Sequence, residues 1–230
     1  NIQAKKGKAD AARGKIFTKL GRELLIAVKE GGPDPAGNSK LKNVIAKCKA
    51  ANMPNDTINK AIQKASSSNE NYEEITYEGY GTNGVAVIVK ASTDNRNRTA
   101  SQVRSSFTKA GGNLGTDGSV SYMFERRGSI VIPGEYDEEE MMMTSLDAGA
   151  LDFEPVDNTY IITTAQDTFT AVKEALENAN VKEFLECELT YIPNMEVELD
   201  EESSEKVHNL VETLEDLDDV QDVYYNLKED

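Results

Sequence analysis

Tryptophan is absent from this 230-residue chain, histidine occurs once and cysteine twice. Cys48 and Cys187 stand far apart with no C-x-x-C spacing, so neither a disulfide framework nor a zinc finger is encoded. That usage fits a reducing cytosol, and a cytoplasmic location is expected. The lone His208 lies in a Glu- and Lys-bearing segment with no Ser or Cys placed to complete a triad. Long apolar runs are missing as well. Leu24–Val28 and Val85–Val89 fall far short of the roughly 20 residues a bilayer span requires, and no charged-then-apolar leader opens the chain, so a soluble protein without membrane contact is expected. The chain opens at Asn1 without an initiator Met, and native residues are expected to precede it. What is present is globular: 38% hydrophobic and 29% charged residues, which excludes collagen, coiled-coil and disordered readings.

Bases are scarce overall, 25 Lys+Arg against 41 Asp+Glu for a net charge of -16, but they are concentrated at one end. Residues 1–71 carry net +8 and residues 72–130 net +1, whereas 131–195 carry net -13 and 196–230 net -12. Fields between exposed charges decay within a Debye length of about 8 Å in physiological salt, so the acidic end need not cancel the basic one. This asymmetry points to a polyanion contact confined to the first segment. The alternative is that the basic helices pair with the acidic domains inside the same protein or dimer.

Helical spacing organises the first segment. Ile16, Leu20, Leu24, Ala27 and Val28 predict a helix over 9–30, stopped by Gly31-Gly32-Pro33. Leu41, Val44, Ile45 and Cys48 form the stripe of a second helix, which makes Cys48 a core residue. Pro54 suits the first turn of a third, with Ile58, Ala61 and Ile62 inward. The polar run at 66–69 is a linker. Beyond it the period changes to two. Residues 75–78 alternate and 79–84 turn; strand 85–89, helix 96–110 and strand 119–126 then read as a β-α-β unit. Segments at 129–132, 137–148, 151–155, 159–163, 167–179 and 184–192 then follow the βαββαβ order of a ferredoxin-like domain. A strand at 195–199, a helix at 201–217 and a strand at 220–227 supply a second β-α-β. The expected fold is therefore α+β: a three-helix module (1–71) followed by two ferredoxin-like α/β domains, the third (129–192) inserted into the second (72–128 plus 193–230).

Three motifs invite chemical readings. The segment Thr93–Ser101 joins a buried strand to a helix start, where unpaired amides favour anions and where Arg96 and Arg98 offer charged forks to phosphate. Equally, Asp94 or Asn95 caps the helix while the arginines pair with acidic residues of the inserted domain. The loop Gly111–Gly118 lacks the G-K-[ST] ending of a nucleotide-binding loop and leaves a helix rather than entering one; its glycines serve turns and a helix stop. The acidic clusters at 137–140 and 200–202 precede or open helices, where they complement the dipole. A third, at Glu215, Asp216, Asp218 and Asp219, reads as a solvated turn. No enzyme chemistry, metal or cofactor is expected.

The strings RGKIFTKL (13–20), AANMP (50–54), YEGYG (77–81), GVAVIV (84–89), TDNRNRTAS (93–101), GGNLGTDGSVSYMFERRG (111–128) and LEDLDDVQDVY (214–224) follow in order along almost the whole chain. In these the sequence resembles the YebC/PmpR family, which includes mitochondrial translational activators of cytochrome oxidase. The resemblance implies a three-domain layout and a short basic arm, G-H-S-K-W, just before Asn1. It also implies nucleic-acid regulation, as a DNA-binding transcriptional regulator or as a ribosome-associated RNA-binding factor assisting synthesis of proline-rich stretches. The expected contacts are Lys5, Lys6, Lys8, Arg13, Lys15, Lys19, Arg22, Lys40, Lys42, Lys47, Lys49, Arg96 and Arg98, with the acidic domains free to recruit a protein partner. From another class, the chain could be an adaptor whose basic helices dock an acidic protein.

Overall fold

A computed structural model describes the backbone of residues 2–229 and the side chains of residues 12–229. Three helices open it: α1 (Ile2–Gly31), α2 (Ser39–Ala50) and α3 (Asn55–Ser67). Their shared core is the stripe expected from spacing, with Leu20, Leu24, Ala27 and Val28 against Leu41, Cys48, Ile58 and Ala65. Asn38 fixes the first corner. Its side chain accepts from Leu41 N at 3.1 Å, capping α2, and donates to Ala27 O at 2.7 Å and Gly32 O at 2.9 Å, tying α2 to the C-terminal end of α1.

The remaining elements are β1 (Glu73–Tyr80), β2 (Ala86–Thr93), α4 (Arg96–Lys109), β3 (Asn113–Leu114), β4 (Phe124–Pro133), α5 (Glu138–Asp147), β5 (Ala150–Val156), β6 (Thr159–Ala165), α6 (Phe169–Asn178), β7 (Glu186–Pro193), α7 (Glu201–Glu215) and β8 (Val220–Tyr225). They form two four-stranded antiparallel sheets, ordered β3-β1-β2-β8 and β5-β6-β4-β7. The chain divides into two compact units, residues 1–69 with 126–190 and residues 70–125 with 191–230.

In the first sheet β2 is buried on both faces. Val87 and Val89 pack with Val103 and Phe107 of α4 and Leu210 and Leu214 of α7, while Ala86 and Ile88 pack with Val120 and Phe124. Two-sided burial explains why Val85–Val89 is continuously apolar rather than alternating. In the second sheet Ile130, Ile132 and Ile162 face Met141 of α5 and Val172 and Leu176 of α6.

Two expected strands are corrected. Residues 119–126 are not one strand: Ser121–Met123 form a 3-10 turn, and Phe124 begins β4, which pairs in the second sheet. The first sheet opens with the hairpin β1–β2, where alternation at 75–78, a turn and an apolar strand are expected, but after α4 only Asn113–Leu114 return, beside β1. At 195–199 only Val197 bridges, in parallel, to Leu227. Asp200 is committed to capping α7 by accepting from Ser203 N at 2.7 Å, which ends the extended segment before a ladder can form.

Candidate nucleic-acid interface

The basic residues of α1 divide by helical phase. Lys15, Lys19 and Arg22 recur at i, i+4 and i+7, about 180–240° around the helix from Arg13, and lie away from the stripe of Leu20, Leu24 and Ala27 that enters the core. All three are half-buried. Arg13 lies on the core side, its guanidinium over the Phe17 ring at 5.1 Å from the centroid, a cation–π contact that holds the head at the surface. The side chains of Lys5, Lys6 and Lys8 lie outside the described residues.

Three of the four lysines of α2 have acidic partners. Lys40 pairs with Glu30 at 2.9 Å and Lys42 with Glu177 of α6 at 2.9 Å. Lys47 lies 3.3 Å from both Glu23 of α1 and Glu188 of β7. Intramolecular pairing of basic helices with acidic elements, the alternative drawn from charge alone, thus occurs at Lys42 and Lys47. Lys42 and Lys49 also line a cleft of about 670 Å³, together with Lys173, Lys182, Ile45 and Phe184. Lys173 is 3% exposed and donates to Asn43 Oδ1 at 2.5 Å. Burial holds its ammonium below the ordinary lysine range, against the pull of Glu177. The result is a surface of high cation density in which several charges are already shared with carboxylates.

Arg96 and Arg98 are placed differently. Asn95 caps α4 by accepting from Arg98 N at 3.1 Å. Arg98 then forks onto Asp219, with Nε at 3.1 Å from Oδ2 and Nη2 at 2.9 Å from Oδ1, and reaches Asp94 at 2.7 Å. Thr99 Oγ1 donates to the same Asp219 at 2.7 Å. Arg96 lies 3.1 Å from Glu73. The acidic partners therefore come from β1, the β2–α4 turn and the α7–β8 turn of the arginines' own unit, not from residues 129–192. Asp219, expected in a solvated turn, is only 2% exposed: two charge-assisted bonds and a hydroxyl compensate its burial.

The glycine-rich loop conceals a site that sequence reasoning missed. The Glu78 carboxylate accepts from the backbone N–H of Gly118 at 2.6 Å, Val120 at 3.1 Å and Ser121 at 2.6 Å. Amides of the kind that cradle a phosphate are occupied by a carboxylate of the chain itself. Gly111 and Gly118 adopt φ of +77° and +86°, and a Cβ at Gly112 would collide with Tyr80 O, so turn geometry and close approach require these glycines. No local pattern marks Glu78, whose partners lie about forty positions downstream.

The other chemical candidates are structural too. Cys48 and Cys187 are buried and their thiols are pushed up to about 12 by that burial. Asp137 and Asp200 cap α5 and α7. Exposed His208 lies 2.9 Å from Glu229, which also accepts from Tyr225 Oη at 2.8 Å. Among the described residues no helix is long and apolar enough to cross a membrane.

Comparison with known proteins covers the chain almost completely. Residues 1–68 match the TACO1/YebC protein N-terminal domain, and residues 72–227 match the TACO1/YebC second and third domain. A probable transcriptional regulatory protein of Clostridium beijerinckii is 56% identical over 98% of this chain and 93% of its own. One from Lachnospira eligens is 54% identical over 100% of this chain and 94% of its own. The crystal structure of a conserved hypothetical protein, Aq1575 from Aquifex aeolicus, is similar with a TM-score of 0.81 and 46% identity, covering 95% of this chain and 91% of that one.

Proposed function

The chain belongs to the TACO1/YebC family, and from that premise we propose that it is a non-enzymatic, DNA-binding transcriptional regulator that grips the phosphate backbone through its helical module. The observation that carries this reading is the cationic stripe Lys15, Lys19 and Arg22 on the side of α1 away from the core, in a segment of net +8. Lys40, Lys42, Lys47 and Lys49 of α2 extend it, and Lys5, Lys6, Lys8 and Arg13 belong to the same proposal. The naming of the C. beijerinckii and L. eligens relatives as probable transcriptional regulatory proteins supports it. Arg96 and Arg98 serve the fold instead, because α4 and its neighbours already satisfy them.

Phe17 is the only aromatic ring before residue 72, so stacking on unpaired bases contributes little and the contact is with a duplex backbone. Sequence discrimination by the isolated protein is accordingly low. We also read the α/β region as two ferredoxin-like domains, the third inserted into the second. The strand order β5-β6-β4-β7 supports this for residues 129–192.

Replacing Lys5, Lys6, Lys8, Arg13 and Lys15 with Gln tests the reading. Affinity for all DNA sequences should fall, and the slope of log affinity against log salt should flatten by about 0.7–0.9 for each phosphate no longer neutralised. Competition should show less than about a thousandfold preference for a promoter fragment over random DNA. An unchanged slope would move the interface elsewhere. Tighter binding to structured ribosomal RNA than to DNA would transfer the same surface to the ribosome.

A further inference from the structure

Helix α5 buries one face and leaves the opposite one unusually apolar. Met141 and Ser145 are 1% and 0% exposed and enter the core. Met142, Met143 and Leu146 are 38%, 56% and 44% exposed. At about 100° per residue these three fall within an arc of roughly 100°, centred some 130° from the buried pair. Acidic residues flank the arc: Glu138 on one edge, Glu140 and Asp147 on the other, Glu139 within it. A shallow groove of about 470 Å³ runs along this helix, with Asp137, Glu139, Glu140 and Asp147 around Met143. None of Glu139, Glu140 and Asp147 forms an ion pair among the described residues.

Three large apolar side chains in one exposed stripe of a ten-residue helix stand outside the core cluster that Met141 enters, so the core does not account for them. The carboxylates exclude nucleic acid and anionic lipid as occupants, because either would meet like charge. A cationic partner gains from the same carboxylates. Methionine, unbranched and polarizable, suits a surface that adapts to a helix laid against it. We propose that the outer face of α5, Met142, Met143 and Leu146 between Glu139, Glu140 and Asp147, is the docking surface for a cationic amphipathic helix of a protein partner. The proposal stands independently of the nucleic-acid reading, which uses residues of α1 and α2.

The test uses the full chain and a synthetic peptide of about 18 leucine and lysine residues, long enough to hold a helix, with leucine at i, i+3, i+4 and i+7. A scrambled peptide of identical composition is the control. In fluorescence anisotropy at physiological salt the amphipathic peptide should bind well above the scrambled one. The triple variant Met142→Ser, Met143→Ser, Leu146→Ser should weaken it at least about tenfold while leaving the salt slope for DNA unchanged. Should circular dichroism show that variant unfolded, Glu139→Lys with Asp147→Lys must produce the loss instead. Equal binding of the two peptides, or equal binding to wild type and variant, would overturn the proposal. So would sedimentation showing a wild-type dimer that the triple variant dissociates, since the occupant would then be a second copy.

Discussion

Asn38 and Glu78 each hold together parts of the chain that no local pattern connects, and each yields a prediction of its own. Asn38 is 6% exposed and uses both ends of its amide, capping α2 and donating to Ala27 O of α1 and to Gly32 O just beyond it. Asn38→Ala should therefore cost about 2 kcal/mol in urea unfolding, from the loss of one cap and of the side-chain bonds to Ala27 O and Gly32 O. Asn38→Asp should be no substitute, because it keeps the cap and loses the donor. At Glu78 burial raises the carboxyl pKa, but the three backbone donors outweigh it and hold the group below its ordinary value of 4.5. A depressed folded pKa contributes stability that is present above the unfolded value and disappears as pH falls through the folded one. The stability gap between wild type and Glu78→Gln should thus be constant above about pH 5.5 and shrink steadily below pH 4.5. A gap that widened on acidification would contradict this electrostatic account.

Elements repeat the distinction between local and distant causes. The stripes of α1, α2 and α3 were legible because each helix buries one face against the other two, so their spacing is a direct image of the core. β4, α5, β5, β6, α6 and β7 were legible for the same reason, and their turns sit where Gly149 and the Asp157–Asn158 pair interrupt the pattern. Residues 119–126 misled because Val120 and Phe124 are buried as a strand's would be. What bends them into a turn is the Glu78 carboxylate pulling on the amides of Val120 and Ser121, an interaction made across more than forty residues. The α4 site was half legible: the cap at Asn95 is a local signal, but Asp219, the partner of Arg98, lies 121 positions away. That pairing separates structure from binding. Arg98→Gln should lower the melting temperature yet leave the salt slope for DNA unchanged, because the residue's charge is held by Asp219 and Asp94. A flattened slope would return Arg98 to the interface.

On the scale of the whole molecule, charge asymmetry has a consequence beyond solubility. The basic segment and the acidic residues 126–190 belong to one compact unit, and within it Lys42 is held by Glu177 and Lys47 by Glu188. On the proposed nucleic-acid reading, phosphate would have to compete with these carboxylates for the two lysines. Such exposed or half-exposed pairs contribute little to stability, about 0–1 kcal/mol each, and can be opened without unfolding the domain. Glu177→Gln together with Glu188→Gln should then tighten DNA binding, with a loss of melting temperature traceable to Glu177, which also faces the buried Lys173 at 3.7 Å. The salt slope should steepen by about 0.7–0.9 for Lys42, whereas Lys47 keeps Glu23 at 3.3 Å and gains less. Titrations of wild type and the double variant across a range of salt concentrations decide the matter. Coincident slopes would make Lys42 and Lys47 struts between helix and sheet and confine the interface to α1, whereas a steeper slope would mean that the acidic domain sets how strongly the basic one binds.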